Sequence, residues 1–384
     1  MSSIACEASA SLRCSPRTSL LRNRIKGLAG APGLHVVSSH LVSARLDSPP
    51  GWRPSLPARW ATLGRIGLTV RTTDYHTAGE PFRIVTDGVP PIPGRTILER
   101  RRWAAEHLDG VRRLLVHEPR GHADMYGCFV TEPEDAGGDL GVVFFHNAGY
   151  STACGHGTIA LVTWALESGR LPAGRGAETE VVVDAPSGRL RTWAAASGGR
   201  VRSVRFRNVP AFVLRRGVRV EGCVVYVAYG GAFYAIAPAP APIAPAGLPE
   251  LIARGRRVKE ALNEAGGVVH PLERELRDVY GVIWTDGDRN VTVFADGEVD
   301  RSPCGSGTSA RLALLDATGE LARGAVLHHR GIVGTELTGR VVEATEVAGL
   351  PAVVTEVAGA AHLTGWHEFV LRPDDPLPDG FLLR

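Results

Sequence analysis

The sequence predicts an α/β chain of two pseudo-equivalent lobes, and three observations predict it. Two segments are near copies of each other: Cys154-Gly-His-Gly-Thr-Ile-Ala-Leu and Cys304-Gly-Ser-Gly-Thr-Ser-Ala-Arg. They share Cys, the two glycines, Thr and Ala, and then a Gly (Gly169, Gly319) and a Leu (Leu171, Leu321) at matching places. Each copy follows a strand-like run and opens a helix-like one. At 384 residues, the chain is also long enough for two domains.

The body begins near Ile66, where Gly-Leu-Thr-Val-Arg-Thr-Thr alternates as a strand does. A helix is predicted over 96–109, stopped by Gly110, and strands over 126–131 and 140–146. The apolar spacing from Gly157 to Leu166 is helical, and Gly169 is its stop. Short strands follow near 180–184, 201–206 and 211–220. The second half repeats the plan. Val224 to Ile236 reads as strand, glycine turn and strand; Ala and Pro then make 236–248 a loop; 249–265 is a helix ended by Gly266 and Gly267. The strand from Asn290 leads into Asp300-Arg-Ser-Pro-Cys304, and the next helix runs to Thr318 with Gly319 as its cap. The remainder is strand-like. These boundaries place lobe 1 at 67–210 and lobe 2 at 211–384, with the C-terminal strands free to pack back on lobe 1.

Residues 1–66 differ in composition. They are rich in Ser, Arg, Ala, Leu and Pro, with Glu7 as the only acidic residue before Asp47. A transit peptide has such a composition. With no clear cleavage site or apolar core, a poorly ordered extension is the simpler expectation. Net charge is +3, so bulk charge gives no reason to expect nucleic acid. No apolar run approaches the roughly 18–20 residues of a membrane span. The six cysteines (Cys6, Cys14, Cys128, Cys154, Cys223, Cys304) have no disulfide spacing, which points to reduced thiols and a cytoplasmic setting. They have no metal-ligand spacing either, so no metal is expected.

A thiol at a helix start faces the positive end of the helix dipole and several free N–H groups. Both favour the thiolate, so such cysteines are often depressed in pKa. The adjacent glycines let backbone amides approach a ligand and form an anion nest suited to a carboxylate. Two opposed sites of this kind would set one α-carbon between two sulfurs. That geometry removes a proton on one face and returns one on the other. A buried cysteine is otherwise a small hydrophobe, which suffices for Cys6, Cys14, Cys128 and Cys223. A cysteine hydrolase using Cys154 with a histidine leaves the second copy unexplained. A non-enzymatic amino-acid binding protein is the remaining alternative.

The blocks carrying these cysteines resemble the proline racemase family. So do Asp74-Tyr-His-Thr-Ala-Gly-Glu-Pro-Phe-Arg-Ile-Val, Glu118-Pro-Arg-Gly-His-Ala-Asp-Met-Tyr-Gly and Tyr229-Gly-Gly-Ala-Phe-Tyr-Ala. Asn147-Ala-Gly-Tyr-Ser-Thr-Ala before Cys154 and the ending Asp374-Asp-Pro-Leu-Pro-Asp-Gly-Phe-Leu-Leu complete the match, which covers residues 68–384. The resemblance implies a diaminopimelate-epimerase-like fold: two α/β lobes, each a curved sheet around a central helix, with the active site in the cleft. It implies no cofactor and a homodimer. It assigns Cys154 and Cys304 as acid/base pair, and Gly155, His156, Gly305 and Ser306 as carboxylate contacts through backbone N–H. Asp300 falls beside the ring nitrogen. His76, His122, Asp124 and His146 sit in matching blocks as structural residues, and Tyr150 and Phe233 are candidates either for a wall to the ring or for the core.

The resemblance leaves two reactions open. A racemase or epimerase acts on proline or hydroxyproline with two bases. A trans-3-hydroxy-L-proline dehydratase removes the same proton and then expels the 3-hydroxyl, and commonly has Thr for the second cysteine. Cys304 favours the first reaction; Ser151-Thr152 is the dehydratase-like variant, and the Gly121-His-Ala-Asp-Met-Tyr stretch resembles the dehydratase or proline racemase groups more than the 4-hydroxyproline epimerases. Ala153, where the family usually has Met, alters pocket size. On balance, the second thiol makes a two-base racemase or epimerase the expectation.

Overall fold

The structure, a computed structural model, describes residues 67–383 apart from Arg175. The expected N-terminal extension, with Cys6 and Cys14, lies outside the described residues. Strands β1 (Leu68–Thr77) and β2 (Glu80–Asp87) lead to helices α1 (Ile97–His107) and α2 (Asp109–Val116). Then β3 (Tyr126–Thr131), β4 (Leu140–His146) and β5 (Gly149–Tyr150) deliver the chain to helix α3 (Gly155–Glu167). Strands β6 (Glu178–Ala185), β7 (Gly188–Ser197), β8 (Arg200–Arg207), β9 (Ala211–Val220), β10 (Cys223–Tyr229) and β11 (Phe233–Pro238) follow. Helix α4 (Leu248–Ala265) precedes β12 (Val279–Asp286), β13 (Arg289–Phe294), β14 (Glu298–Asp300) and helix α5 (Gly305–Thr318). The last strands are β15 (Leu327–Arg330), β16 (Glu336–Val347), β17 (Leu350–Gly359) and β18 (Ala361–Leu371).

The duplication legible at the cysteines extends through the whole topology. In the first half β2 runs parallel to β3 across α1 and α2, β4 is antiparallel to β3 and β5, and β4 is parallel to β6. In the second half β11 runs parallel to β12 across α4, β13 is antiparallel to β12 and β14, and β13 is parallel to β15. The hairpin series β6–β7–β8 recurs as β15–β16–β17. The halves also exchange strands: β18 pairs with β1, and β17, which meets β9 within its own half, pairs with β8 across. All described strands therefore belong to one hydrogen-bonded network.

Each sheet curls around one buried helix. From Gly155 to Leu166 every residue of α3 is buried, and from Gly305 to Leu314 every residue of α5 is buried. A helix without a wet face must be surrounded. Around α3 lie Phe82, Ile84, Phe144, Val183, Val204 and Phe206, with Leu337, Val357 and Ala361 from the last strands. Around α5 lie Ala228, Tyr234, Ile236 and Ile283 on one side and Ala211, Val341 and Val353 on another. Helix α4 is an outer helix: its buried Leu251, Gly255, Val258 and Leu262 recur at helical spacing, and the Trp284 indole donates to the Leu251 carbonyl at 3.0 Å. The predicted helix at 96–109 is two helices. A Thr96–Glu99 capping box starts α1. It breaks at Leu108, and α2 turns on to bury Val111, Leu114 and Leu115. Gly110 does not stop it, because the core rewards the extra turns more than one glycine costs. Strand β12 and the separate β7 were also not anticipated.

The twin motif has a packing explanation. In both copies Thr donates back to the cysteine carbonyl: Thr158 Oγ1 to Cys154 O and Thr308 Oγ1 to Cys304 O, each at 2.8 Å. This satisfies a hydroxyl inside a dry helix. The glycines after each cysteine let the two helix starts touch. A Cβ on Gly155 would lie 2.5 Å from the Gly305 Cα, and one on Gly305 2.6 Å from the Gly155 Cα. Gly155→Ala is therefore expected to destabilise the fold by about 1–3 kcal/mol, the usual cost of overpacking. Urea denaturation would check it. Gly222→Ala, with only the tip of the Arg254 side chain near its Cβ, serves as a control that carries backbone strain alone, roughly 1 kcal/mol.

Candidate active site

Strand β4 and the short β5 set Cys154 at the N-cap of α3; β13 and β14 set Cys304 at the N-cap of α5. The contact of Gly155 with Gly305 brings the two starts together. Cys154, Gly155, His156, Asp300, Cys304 and Ser306 line one small cavity, together with Tyr126, Ala153, Tyr234, Tyr280 and Phe294. Gly305 lies against it through its contact with Gly155. The sequence-predicted residues are thus gathered at one place. The free volume is about 10 Å³, room for a single water. A ring-sized ligand enters only if the two sides part.

The two sulfurs have similar but unequal surroundings. Cys154 Sγ accepts the Gly157 N–H at 3.3 Å and lies 3.4 Å from His156 Nε2. Cys304 Sγ lies 3.7 Å from the Tyr234 hydroxyl and 3.9 Å from Ser306 Oγ. Tyr234 and Ser306 are joined at 2.7 Å. In both copies the residue two places on covers its own sulfur. The second glycine of each copy leaves the sulfur room: a Cβ on Gly157 would lie 2.6 Å from Cys154 Sγ, and one on Gly307 3.0 Å from Cys304 Sγ. The backbones differ, however. Cys154 is extended at φ −152°, whereas Cys304 has φ 66°. A non-glycine residue at such a φ costs on the order of 1–3 kcal/mol and persists only where its surroundings enforce it.

Asp300, at the end of β14, is buried and accepts the Ser302 N–H at 2.8 Å and the Ser302 hydroxyl at 2.7 Å on one oxygen. Its other oxygen lies 3.9 Å from His156 Nδ1. His156 therefore stands between the first thiol and the second half's carboxylate. Behind them, fully buried Glu80 accepts the Arg301 N–H at 2.7 Å with one oxygen, while its other oxygen has no partner. Arg301 also lies 3.4 Å from Asp124.

Burial dominates the electrostatics. The Cys304 thiol is pushed up to about 12, first by desolvation and then by the Asp300 charge. Cys154 is raised well above its ordinary range by desolvation, against the pull of the Gly157 N–H. The expectation of depressed thiol pKa values thus fails for this closed site. The helix-start N–H groups are present, but removal of water outweighs them. His156 is pushed down to about 3 by desolvation and by Arg301, so its ring is neutral. A neutral imidazole cannot hold Cys154 as the thiolate of an ion pair, which argues against the hydrolase alternative. Glu80 is raised well above the usual carboxylate range, by burial and then by Asp300.

Tyr126, Tyr234, Tyr280 and Phe294 form the aromatic wall, and the sequence reading missed all four. Tyr280 and Phe294 stack at 5.5 Å, and Tyr126 lies edge-on to His156 at 5.1 Å. Tyr126 and Tyr234 stood inside quoted motifs, where strand alternation alone does not say which ring faces inward. The anticipated wall residues lie elsewhere. Phe233 packs with Phe212 and Tyr229 in the second half's core, and Tyr150 packs beside α1 with its hydroxyl on the Ala104 carbonyl. Both border a separate, wider cleft of about 370 Å³. His146 is structural, 3.1 Å from buried Glu298. His76 lies tilted against His362, with ring centroids 5.1 Å apart, and His122 is exposed, with its ring on the Ala123 carbonyl.

The chain is matched over residues 72–382 by the family profile described as proline racemase. It is 44% identical over 333 residues to trans-3-hydroxy-L-proline dehydratase of Bacillus cereus, covering 83% of this chain and 99% of that one. It is 46% identical over 335 residues to 3-hydroxyproline 2-epimerase of Burkholderia multivorans, covering 83% of this chain and 100% of that one. A crystal structure of a hydroxyproline epimerase from Agrobacterium vitis, with bound trans-4-hydroxy-L-proline, superposes with a TM-score of 0.76 at 31% identity, over 82% of this chain and 96% of that chain. The protein belongs to the proline racemase family. Its fold is of the two-lobed, diaminopimelate-epimerase-like type that the motifs led one to expect.

The carboxyl of Asp300 is pushed up from 3.8 to about 6, chiefly by burial. A carboxyl that ionises later in the folded than in the unfolded state stabilises fully below the unfolded pKa. That contribution is lost as pH rises through the folded pKa. Asp300→Asn removes this titration. It is expected to gain stability relative to the wild type between about pH 4 and about pH 7, by on the order of 1–3 kcal/mol. Urea denaturation at both pH values tests this; a pH-independent difference would contradict it.

Proposed function

We propose that this protein removes and returns the α-proton of a proline-ring amino acid, with Cys154 and Cys304 as the two acid/base groups and 3-hydroxyproline as the substrate. The observation that carries this reading is the meeting of two cysteine-bearing helix starts in one cavity with Asp300. The first N–H groups of α3 and α5 have no acceptor within their helices and suit the substrate carboxylate. Gly155, His156, Gly305 and Ser306 supply them. Asp300 suits the ring ammonium. The α-carbon then lies between the sulfurs.

The α-proton of an amino acid is weakly acidic, so fixed charges must stabilise the carbanion as it forms. The paired N–H groups do so at the carboxylate. One thiol starts as thiolate and takes the proton; the other donates from the opposite face, and the reverse reaction exchanges their roles. In the ligand-free site both thiols are held protonated by burial and by Asp300. A bound ammonium offsets the Asp300 charge and favours the thiolate. Substrate thus helps to ionise its own base. Two thiols make 2-epimerisation the leading reading. Choice of 3-hydroxyproline rests on the names of the two relatives above. The Bacillus name also favours a second reading, in which the same carbanion expels the 3-hydroxyl as water.

Cys154→Ser and Cys304→Ser are each expected to lower α-proton exchange on trans-3-hydroxy-L-proline by about 10²–10⁴-fold, read by proton NMR in D2O. Full loss of the 3-hydroxyl in Cys304→Ser would favour one-base dehydration over epimerisation. Because the free-enzyme thiols are raised, kcat/KM should climb about tenfold per pH unit between about pH 7 and about pH 9. A plateau beginning below about pH 8 would contradict raised thiols.

A further inference from the structure

Three hydroxyl groups form a chain between the closed cavity and the wide cleft beside it. Tyr126 donates to Ser151 Oγ, and the Tyr126 and Tyr280 hydroxyl oxygens lie 3.1 Å apart. Ser151 Oγ in turn donates to the Ala153 carbonyl at 3.4 Å. Tyr126 and Tyr280 line the cavity that holds both sulfurs; Ser151 and Tyr280 line the cleft of about 370 Å³. The other hydroxyls of the cavity are already committed to the second sulfur, since Tyr234 and Ser306 bind each other beside Cys304. With a carboxylate on the helix starts and an ammonium at Asp300, the ring carbons must face the aromatic wall. Among the described residues of that wall, Tyr126 and Tyr280 carry the hydroxyls that are not paired beside Cys304.

We infer that Tyr126 is the proton donor to the ring 3-hydroxyl, and that Ser151 is the positioning residue that re-protonates Tyr126 from the side of the cleft. This rests on the α-proton removal proposed above and on its second reading, in which the carbanion expels the 3-hydroxyl. The step balances. A thiolate sulfur takes the α-hydrogen as a proton. The electron pair left on the α-carbon forms the double bond to C3 as the C3–O bond breaks. The departing oxygen takes the Tyr126 phenol proton and leaves as water, and a cyclic enamine acid remains. Ser151 then turns its O–H from the Ala153 carbonyl to the phenolate, and solvent in the cleft restores its proton. The thiol returns its own proton to solvent. Burial holds the Tyr126 phenol well above its usual range, as does the charge of Cys154. It therefore keeps its proton until a hydroxide-like charge develops. The same carbanion has two exits: reprotonation by the second thiol, or loss of the hydroxyl to Tyr126.

The test follows trans-3-hydroxy-L-proline in D2O by proton NMR with wild type, Tyr126→Phe and Ser151→Ala. It reads the ratio of 3-hydroxyl loss to deuterium entry at the α-carbon, summed over substrate and epimer. The ratio is expected to fall at least tenfold in both variants. A merely structural role would lower both signals together and leave the ratio in place. A ratio within twofold of wild type, or a joint loss of both signals in Ser151→Ala, overturns the donor assignment. So does a wild type that exchanges the α-proton but keeps the 3-hydroxyl. A wild type with no deuterium entry overturns instead the two-thiol reading on which the inference rests.

Discussion

The contact of Gly155 with Gly305 is the constraint on which the rest depends. Two helices meet end to end, backbone against backbone, at a distance that a single Cβ would spoil. This fixes the separation of the two N-cap cysteines. It also points two sets of unpaired N–H groups at one small space. Each helix is buried from its start through most of its length, so moving either start means moving a packed core with it. The exchange of β17 and β18 into contact with β8 and β1 ties the halves together behind the site.

The same enclosure sets the electrostatics. A helix start in water would lower a thiol pKa, and that is the reading the sequence invites. Here desolvation wins at both sulfurs, because the N–H groups offer partial charges while burial removes all of the water. The dry pocket also silences His156 and raises Glu80 and Asp300. The result is a site with few charges of its own. A zwitterionic ligand brings the charges that it needs: an anion for the helix starts and a cation for Asp300.

Legibility followed the range of the interactions involved. The cysteine motifs, the helix stops at Gly169 and Gly319 and the long amphipathic α4 depend on neighbours within a few residues, and the sequence displays them. Asp300 and His156 came from the family resemblance, which is carried by the same local blocks as the two cysteines. Tyr126, Tyr234, Tyr280 and Phe294 depend on which face of a strand turns inward after several sheet pairings, and nothing local reports that. The choice between pocket wall and core for Tyr150 and Phe233 was open for the same reason. Glu80 lay in a recognisable block, but its lone buried oxygen is visible only in three dimensions. The left-handed φ of Cys304 was equally hidden, since its sequence context copies that of Cys154, whose backbone is extended.

The central claim is that two sulfurs serve opposite faces of one α-carbon. The most direct measurement is the initial-rate fate of the α-hydrogen when trans-3-hydroxy-L-proline turns over in D2O. A two-thiol site predicts that the inverted product carries deuterium at the α-carbon while unreacted substrate still carries protium. Deuterium appearing in unreacted substrate as fast as in product, or protium retained in the product, would mean that one group works both faces and would contradict it.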